Sequence, residues 1–153
     1  VGNDCSVTSS QIYHSFIESE AEIGPFVYID DSTRMLHKVK IGAFTEVRRS
    51  IIGAFSEIAS HCHIAHCETS PHVTIGSHVC CANYDGRKNN AVKIHEGAFI
   101  GSGTILVAPI TVGQGAFTAA GSTITDNVPA GALGIAREYQ SNHDGWARRR
   151  SKA

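Results

Sequence analysis

The sequence predicts an all-β protein built as a parallel β-helix, and three observations lead to this fold class. Large aliphatic residues recur every six positions, a glycine often follows them, and the composition favours strands. With 15 Gly but only one Trp and one Met, the core consists mainly of Ile, Val, Ala and Thr, which suit strands better than a helix bundle. A period of six is neither the helical period of about 3.6 nor simple alternation.

The repeat runs through the first half of the chain as two parallel series. Large residues stand six apart at Ile17, Ile23, Ile29, Met35, Ile41 and Val47, and smaller ones precede the last five by two positions at Ala21, Val27, Thr33, Val39 and Thr45. After a slip, the register resumes at Ile52, Ile58 and Ile64, preceded by Ser50, Ser56 and Cys62. We expect both series to point inward, with three short strands and their turns making each coil of a prism.

The repeat returns in the second half of the chain with the same two series. The large positions are Ile94, Ile100, Leu106, Val112, Thr118 and Ile124, and the positions two before them are Val92, Ala98, Thr104, Ile110, Ala116 and Ser122. At about 18 residues per coil, the repeat makes about seven coils, each rising by about 4.8 Å. We therefore assign residues 1–129 to the β-helix domain.

Two segments leave the repeat. Residues 82–91 interrupt it with a polar decapeptide that we expect to protrude as a loop, and such insertions in repeat scaffolds often build the binding site. Residues 130–153, which include Trp146 and the run 148–150 of three arginines, are expected to form a C-terminal cap or arm. A solvated or subunit-contacting tail is one interpretation of these arginines, and a nucleic-acid contact is the other.

Charge, hydropathy and cysteine content exclude several classes of protein. Lys+Arg 13 against Asp+Glu 14 argues against a protein that coats nucleic acid or an anionic membrane. The sequence has no apolar run near the roughly 20 residues that span a bilayer, and we expect no export leader. Five cysteines, two of them adjacent at Cys80 and Cys81, cannot form a complete disulfide framework within one chain. We therefore expect reduced thiols, no membrane span and a cytoplasmic location.

Several motifs are more specific than the hexads. They are Asn83-Tyr84-Asp85-Gly86, the run 100–109, the run 118–121, and Gly145-Trp146 before a basic tail. Through these motifs the chain resembles, from about Ile23 to Arg150, the C-terminal acetyltransferase half of the bacterial bifunctional glucosamine-1-phosphate acetyltransferase and N-acetylglucosamine-1-phosphate uridyltransferase enzymes. The resemblance implies a left-handed coil, a homotrimer, and acetyl-CoA bound between neighbouring subunits. The family's N-terminal nucleotidyltransferase domain would lie outside these residues.

The resemblance also implies which residues bind acetyl-CoA. The positions that match the family's cofactor site are Asn83, Tyr84, Ser102, Ala120 and Arg137. A small residue such as Ala120 leaves room for a pantetheine arm along the coil, and the guanidinium of Arg137 suits a CoA phosphate. Ser102 and Ala120 could equally be ordinary fillers of the repeat.

The acceptor side departs from the family pattern. The family's two phosphate-binding cations fall at Asp30, which reverses the charge, and at Arg48, which keeps it. A family Asn falls at Thr74, and a loop Lys falls at Asn89, which is adjacent to Lys88. Arg48, Thr74 and Lys88 are therefore the candidate substrate-binding residues for an amino-sugar or sugar-phosphate-like acceptor, whose identity stays open.

The catalytic base must also differ from that of the family. Acetyl transfer needs a base at the attacking group, and the family's catalytic His falls at Ser60, which cannot act as one. His61 and His63 follow directly, and the hexad phase leaves both on the outer surface. Since the ordinary pKa of histidine, about 6.5, is close to working pH, we predict that His61 or His63 is the base.

A metal site and a non-catalytic role are the two alternatives. Residues 61–67 contain three His and two Cys, but in a prism neighbouring residues fan around the coil instead of converging as zinc ligands do. We therefore expect no metal within one chain, although a trimer axis could bring histidines together. Cys62 and Cys80, which are 18 apart, are expected to stack inside. Ser60 and Asp30 also suit a non-catalytic β-helix module that trimerises or regulates a sugar nucleotidyltransferase.

Overall fold

The protein is a three-sided prism of short parallel strands. The structure, a computed structural model, describes residues 1–147, so the arginines at 148–150 lie outside the described residues. Its strands form three parallel sheets of eight, seven and six strands. Each sheet is one face of the prism, and the chain visits the three faces in turn.

The first sheet contains β1 (Ser6–Val7), β4 (Glu22–Ile23), β7 (Lys40–Ile41), β10 (Glu57–Ile58), β13 (Thr74–Ile75), β16 (Phe99–Ile100), β19 (Phe117–Thr118) and β21 (Leu133–Gly134). The second sheet contains β2 (Gln11–Ile12), β5 (Tyr28–Asp30), β8 (Glu46–Arg48), β11 (His63–Ala65), β14 (Cys80–Ala82), β17 (Ile105–Val107) and β20 (Thr123–Ile124). The third sheet contains β3 (Phe16–Ile17), β6 (Arg34–Met35), β9 (Ile51–Ile52), β12 (Cys67–Thr69), β15 (Val92–Ile94) and β18 (Ile110–Val112).

Strand pairing shows that the chain climbs by one strand per coil. On the first sheet, Lys40 pairs with Glu57 and Glu57 pairs with Thr74. Every strand pairing within the three sheets is parallel, as a continuous coil requires. The predicted fold class, an all-β left-handed parallel β-helix of about seven coils, is confirmed.

Both hexad series fill the interior, as the sequence predicts. No large residue of the series is more than 4% exposed, and the small positions between them are buried as well. The hydroxyls among the small residues bond to neighbouring backbone: Thr45 Oγ1 donates to Ala59 O at 3.0 Å, and Ser50 Oγ accepts from Cys67 N at 3.1 Å. Serine and threonine can therefore occupy the core because their polar atoms are satisfied.

Glycine follows the large hexad residue because the next coil passes directly over it. A Cβ added at Gly101 would lie 2.4 Å from Thr118 O and 2.7 Å from Ala120 N. Only a residue without a side chain permits this close approach of backbone to backbone.

At the corner between the first and second sheets, one equivalent position in each coil has positive φ, and Gly24 has positive φ as well in the second coil. From the second coil upward these residues are Phe26, Phe44, His61, His78, Gly103 and Gly121. The first four rings form a stack, here named the corner ladder, with centroid separations of 5.2, 5.0 and 4.9 Å in chain order. Stacking of these rings offsets part of the cost of left-handed backbone at residues other than glycine.

The top of the prism extends past the expected end of the repeat. Leu133 and Gly134 pair with Phe117 and Thr118, so β21 lies beyond residue 129. The division into residues 1–129 and 130–153 stays a prediction. Within residues 1–147, no helix is long and apolar enough to cross a membrane.

Candidate functional site

The outer face of the second sheet carries most of the polar chemistry singled out from the sequence. Glu46, Arg48, His63 and Cys80 alternate along their strands with buried residues and therefore point outward. Where this face meets the protruding loop, a groove of about 490 Å³ is lined by residues that include Arg48, His63, Cys80, Asn83, Tyr84 and Asn89. This groove is the candidate site.

His63 is held in the groove by a carboxylate. Its Nδ1 lies 3.1 Å from Oε2 of Glu46, which is its register partner on the preceding strand. A carboxylate only accepts hydrogen bonds, so Nδ1 of the neutral ring carries the hydrogen and Nε2 keeps a free lone pair. This is the arrangement that a general base requires.

His61 is exposed like His63, as the hexad phase predicts, but its surroundings differ. It belongs to the corner ladder, where its ring lies between Phe44 and His78 and is parallel to His78 within 3°. It does not line the groove. Ser60, at the position expected for the family's histidine, lies at the same corner, and its carbonyl accepts the backbone N–H of His78.

The prediction that Cys62 and Cys80 stack inside is wrong. The coil at this height spans 17 residues, so the register partner of Cys80 is His63. Cys62 points inward, where its Sγ donates to Gly76 O at 3.2 Å, whereas Cys80 points outward into the groove. Partial burial and the neighbouring Cys81 raise the pKa of the Cys80 thiol above its ordinary value.

The loop is a closed turn that places one unsatisfied atom against the groove. Backbone N–H groups of Lys88 and Arg87, together with the amide of Asn90, bond to Asp85 and lower its pKa to about 2. Asn83 is only 6% exposed and its Nδ2 donates to Asn90 O at 2.8 Å. Its Oδ1 is buried and accepts no hydrogen bond from the described part of the chain.

The charges on the acceptor side of the groove are paired with one another. The backbone N–H of Asp31, then Tyr28 Oη at 2.8 Å and His14 Nδ1 at 3.1 Å, lower the pKa of Asp30 to about 2. Arg48 Nε and Glu46 Oε1 form an ion pair at 2.6 Å, but Nε donates no hydrogen bond. The Arg48 guanidinium also lies 5.0 Å from the ring centroid of Tyr28. Arg48 therefore already has a carboxylate and a ring as partners.

The other predicted site residues lie elsewhere on this chain. Thr74 is on the first sheet, on another face of the prism, and Lys88 is exposed on the loop without lining the groove. Ser102 and Ala120 occupy successive coils at the corner above Ser60, where Gly121 N donates to Ser102 O at 2.8 Å. Arg137 is exposed and follows the segment that lies over Ser122 at the same edge. One chain thus gives two groups of residues, one in the groove and one along the edge.

Residues 61–67 fan around the coil instead of converging on a metal. Cys62 points inward, His63 points outward, and His61 and His66 occupy different corners with positive φ. Among residues 1–147, no three or more His, Cys, Asp or Glu side chains are grouped to hold a metal ion.

Sequence reasoning missed the two register partners of His63: Glu46, whose carboxylate bonds to its ring, and Cys80, which lines the groove. Both lie 17 residues from His63, one coil below and one coil above. A spacing of 17 was available from the slip between Val47 and Ile52, which shortens the coil by one residue.

Comparison with known proteins shows that this chain is similar to one part of a longer protein. It is 43% identical over 148 residues, 97% of its length, to the bifunctional protein GlmU of Alkaliphilus metalliredigens, and it covers 32% of that relative. The chain thus spans about a third of the length of the GlmU proteins that it matches. No family model matches the chain.

Two solved structures share the fold at low sequence identity. The BC4754 gene product of Bacillus cereus, provisionally named an acetyltransferase, superposes with a TM-score of 0.60 at 22% identity, covering 95% of this chain and 90% of its own. A variant of AntD, an N-acyltransferase from Bacillus cereus in complex with dTDP and Coenzyme A, gives a TM-score of 0.53 at 14% identity, with 99% and 88% covered.

Proposed function

We propose that this chain is a CoA-dependent acetyltransferase with a sugar-like acceptor. It belongs to the hexapeptide-repeat β-helix family, and it is related to about one third of the GlmU chain. The observation that carries the proposal is His63, which lines the groove together with Asn83 and Tyr84 and is paired with Glu46. The complex of the AntD variant with Coenzyme A supports the choice of acetyl donor.

His63 is the proposed base, in preference to His61. Glu46 holds its Nδ1 at 3.1 Å, which leaves Nε2 free to take a proton from the attacking amine or hydroxyl of the acceptor. Glu46 then stabilises the imidazolium that forms, as the carboxylate of a catalytic triad does. His61 has no carboxylate partner among residues 1–147 and is stacked in the corner ladder.

Acetyl-CoA is proposed to lie along the edge that carries Ser102, Ala120 and Arg137, with Asn83 and Tyr84 at the groove. Gly103 and Gly121 leave two successive corner positions of this edge without side chains, so a thin arm can lie close to the backbone there. Arg137 would then meet a CoA phosphate. No metal is needed for this chemistry.

The proposed acceptor is an amino sugar that places no phosphate dianion beside Asp30 on the second sheet. Asp30 is a fully ionised carboxylate near neutral pH, since its pKa is about 2, and Arg48 is paired with Glu46. An incoming dianion would be repelled by Asp30 and would have to compete with Glu46 for Arg48. Thr74 and Lys88 could serve such an acceptor only if a neighbouring subunit supplied them.

Assembly into a homotrimer is part of the proposal. The first sheet exposes an apolar stripe near the top of the prism, formed by Phe99, Phe117 and Leu133, and such a stripe is typical of a subunit contact. A neighbouring subunit would turn the open groove into a closed one. An N-terminal nucleotidyltransferase domain, as the length of the GlmU proteins suggests, would lie outside these residues.

Two measurements test the proposal. Titration calorimetry should detect acetyl-CoA binding, and acetyl-CoA should release free thiol with at least one member of a panel of amino sugars. The second candidate function is a non-catalytic β-helix module, which Ser60 at the expected histidine position favours. It predicts no thiol release with any acceptor, and that result together with no binding would refute the enzyme.

A further inference from the structure

The corner ladder ends at His78, and the two coils above it carry glycine at the equivalent corner position. The backbone N–H of Gly103 donates to Ser77 O at 2.8 Å, and that of Gly121 donates to Ser102 O at 2.8 Å. These bonds place the three corner positions above one another in successive coils. An imidazole therefore stands at the lower end of a stretch of the edge whose corner positions carry no side chain.

We propose that His78 determines which acyl group the protein accepts, because its ring closes the lower end of the edge along which acetyl-CoA is proposed to lie. An acetyl group fits above the ring, and a longer acyl chain meets it. The inference rests on the proposed function, which places the donor on this edge. It adds to that function a residue that selects the donor without binding CoA itself and without moving a proton.

The order of residues along the edge gives the donor one direction. Arg137, which is proposed to meet a CoA phosphate, follows the segment that lies over Ser122 near the top of the prism. The proposed base His63 lies lower, because its strand β11 is followed upward by β14, β17 and β20. CoA carries its phosphates and its thiol at opposite ends, so the acyl group is at the lower end, next to His78.

The ring of His78 can act as a firm stop because other rings support it from below. It lies parallel to the ring of His61 within 3°, with centroids 4.9 Å apart, and His61 in turn lies 5.0 Å from Phe44. The ring of His78 therefore cannot drop toward the coil below without displacing this stack. On its upper side, the corner position belongs to Gly103, and no ring of residues 1–147 is stacked there.

Neither polar contacts nor backbone geometry require a histidine at this position. In the part of the chain that the structure describes, the imidazoles with a hydrogen bond or an ion pair are those of His14, His37 and His63. The φ of 61° at His78 is one that glycine adopts without strain, and glycine occupies the same corner in the next two coils. A flat and supported ring at this height suits a steric role.

The expected selectivity follows from the spacing of the coils. Removing the ring opens one further corner position, which corresponds to about 4.8 Å along the edge. One methylene too many in a closed pocket lowers specificity by about 10–200-fold. Butyryl is two methylenes longer than acetyl, so we expect the wild-type protein to discriminate against it by at least about 10²-fold.

The test measures the affinity of the whole chain for free CoA, acetyl-CoA and butyryl-CoA by titration calorimetry. The wild type should bind butyryl-CoA at least about 10²-fold more weakly than acetyl-CoA. His78→Gly should reduce this ratio of dissociation constants to below about 10-fold and leave the affinity for free CoA unchanged. His78→Phe keeps a flat ring at the same position without its nitrogens, and it should keep the ratio of the wild type.

His72→Gly is the matched control, because His72 has the same geometry at the corner between the third and first sheets. Its φ is 59°, its ring is parallel to that of Phe55 within 4° at a centroid distance of 4.9 Å, and the next coil carries Gly97 at this corner. The variant removes a stacked histidine away from the proposed donor site. Its ratio should therefore equal that of the wild type, and a melting temperature confirms that each variant is folded.

The possible outcomes separate this inference from the proposed function. If the wild type binds neither free CoA nor acetyl-CoA, the proposed function fails and the inference fails with it. If it binds acetyl-CoA and butyryl-CoA equally, or if folded His78→Gly keeps the ratio, the inference is overturned while the proposed function remains. Loss of the ratio in His78→Phe, or an equal loss in His72→Gly, would also overturn it, because a steric stop at one corner explains neither result.

Discussion

Replacing Gly101 by alanine should strongly destabilise the protein, because the next coil occupies the space of a side chain. The added Cβ would lie 2.4 Å from Thr118 O and 2.7 Å from Ala120 N, whereas an ordinary contact is 3.4–4 Å. Both atoms are backbone, so relief requires the coil above to move by about 1 Å. Overpacking in a rigid interior costs about 1–3 kcal/mol, and we expect a value of about 3 kcal/mol here.

Gly121 provides the matched control on the same edge. It has a positive φ of 71°, and no atom lies within 4 Å of an added Cβ. Gly121→Ala therefore carries only the cost of left-handed backbone, about 1–2 kcal/mol. For a chain of this size, about 3 kcal/mol lowers the melting temperature by roughly 10 °C and about 1.5 kcal/mol by roughly 5 °C.

Thermal and urea unfolding, followed by far-ultraviolet circular dichroism, measure both variants. Gly101→Ala should unfold at clearly lower temperature and lower urea concentration than Gly121→Ala. It should also weaken acetyl-CoA binding, because the displaced coil carries Ala120. Equal stability of the two variants, or a greater loss in Gly121→Ala, would refute the argument that backbone contact requires this glycine.

Three further outcomes test the site. His63→Ala should lower the rate of acetyl transfer by about 10²–10⁴-fold with little change in acetyl-CoA affinity. His61→Ala should lower the same rate by less than about 10-fold. A larger loss in His61→Ala than in His63→Ala would exclude His63 as the base. Tyr84→Ala should weaken acetyl-CoA binding, measured by calorimetry, without changing the melting temperature, and unchanged binding would remove the loop from the cofactor site. Asp30 has a folded pKa of about 2 against an ordinary 3.8, so its contribution to stability is present above about pH 4 and is lost as pH falls through 2. The difference in urea midpoint between wild type and Asp30→Asn should therefore shrink between pH 5 and pH 2, and a constant difference would contradict this assignment.

The interior of the prism was predictable because a side chain has only two directions in a short strand. Ile29 and Val47 repeat at a fixed phase, and burial of both follows from that phase alone. The outer face was less predictable, because a slip of one residue changes which residues are neighbours on it. The coil of 17 residues at His63 is the example, since it makes Cys80 the outward-facing partner of His63, whereas Cys62 points inward as its hexad phase predicts.

The acceptor side could not be predicted because it depends on side-chain conformations. Sequence comparison gives Asp30 as a reversed charge, but it does not show that Tyr28 and His14 bond to this carboxylate. The same holds for Arg48, whose partner Glu46 is two residues away in sequence. Whether a charge is available to a ligand follows from its partners, and these are known only once the side-chain conformations are.

The corner ladder divides one edge of the prism into a lower part with projecting rings and an upper part without them. Gly103 and Gly121 leave a bare track that ends abruptly at the ring of His78. A thin molecule bound at these glycines, as proposed for acetyl-CoA, would meet the ring of His78, which lies two residues before Cys80 in the same coil. The position of the His78 ring along this edge would therefore set which part of such a molecule lies beside the groove.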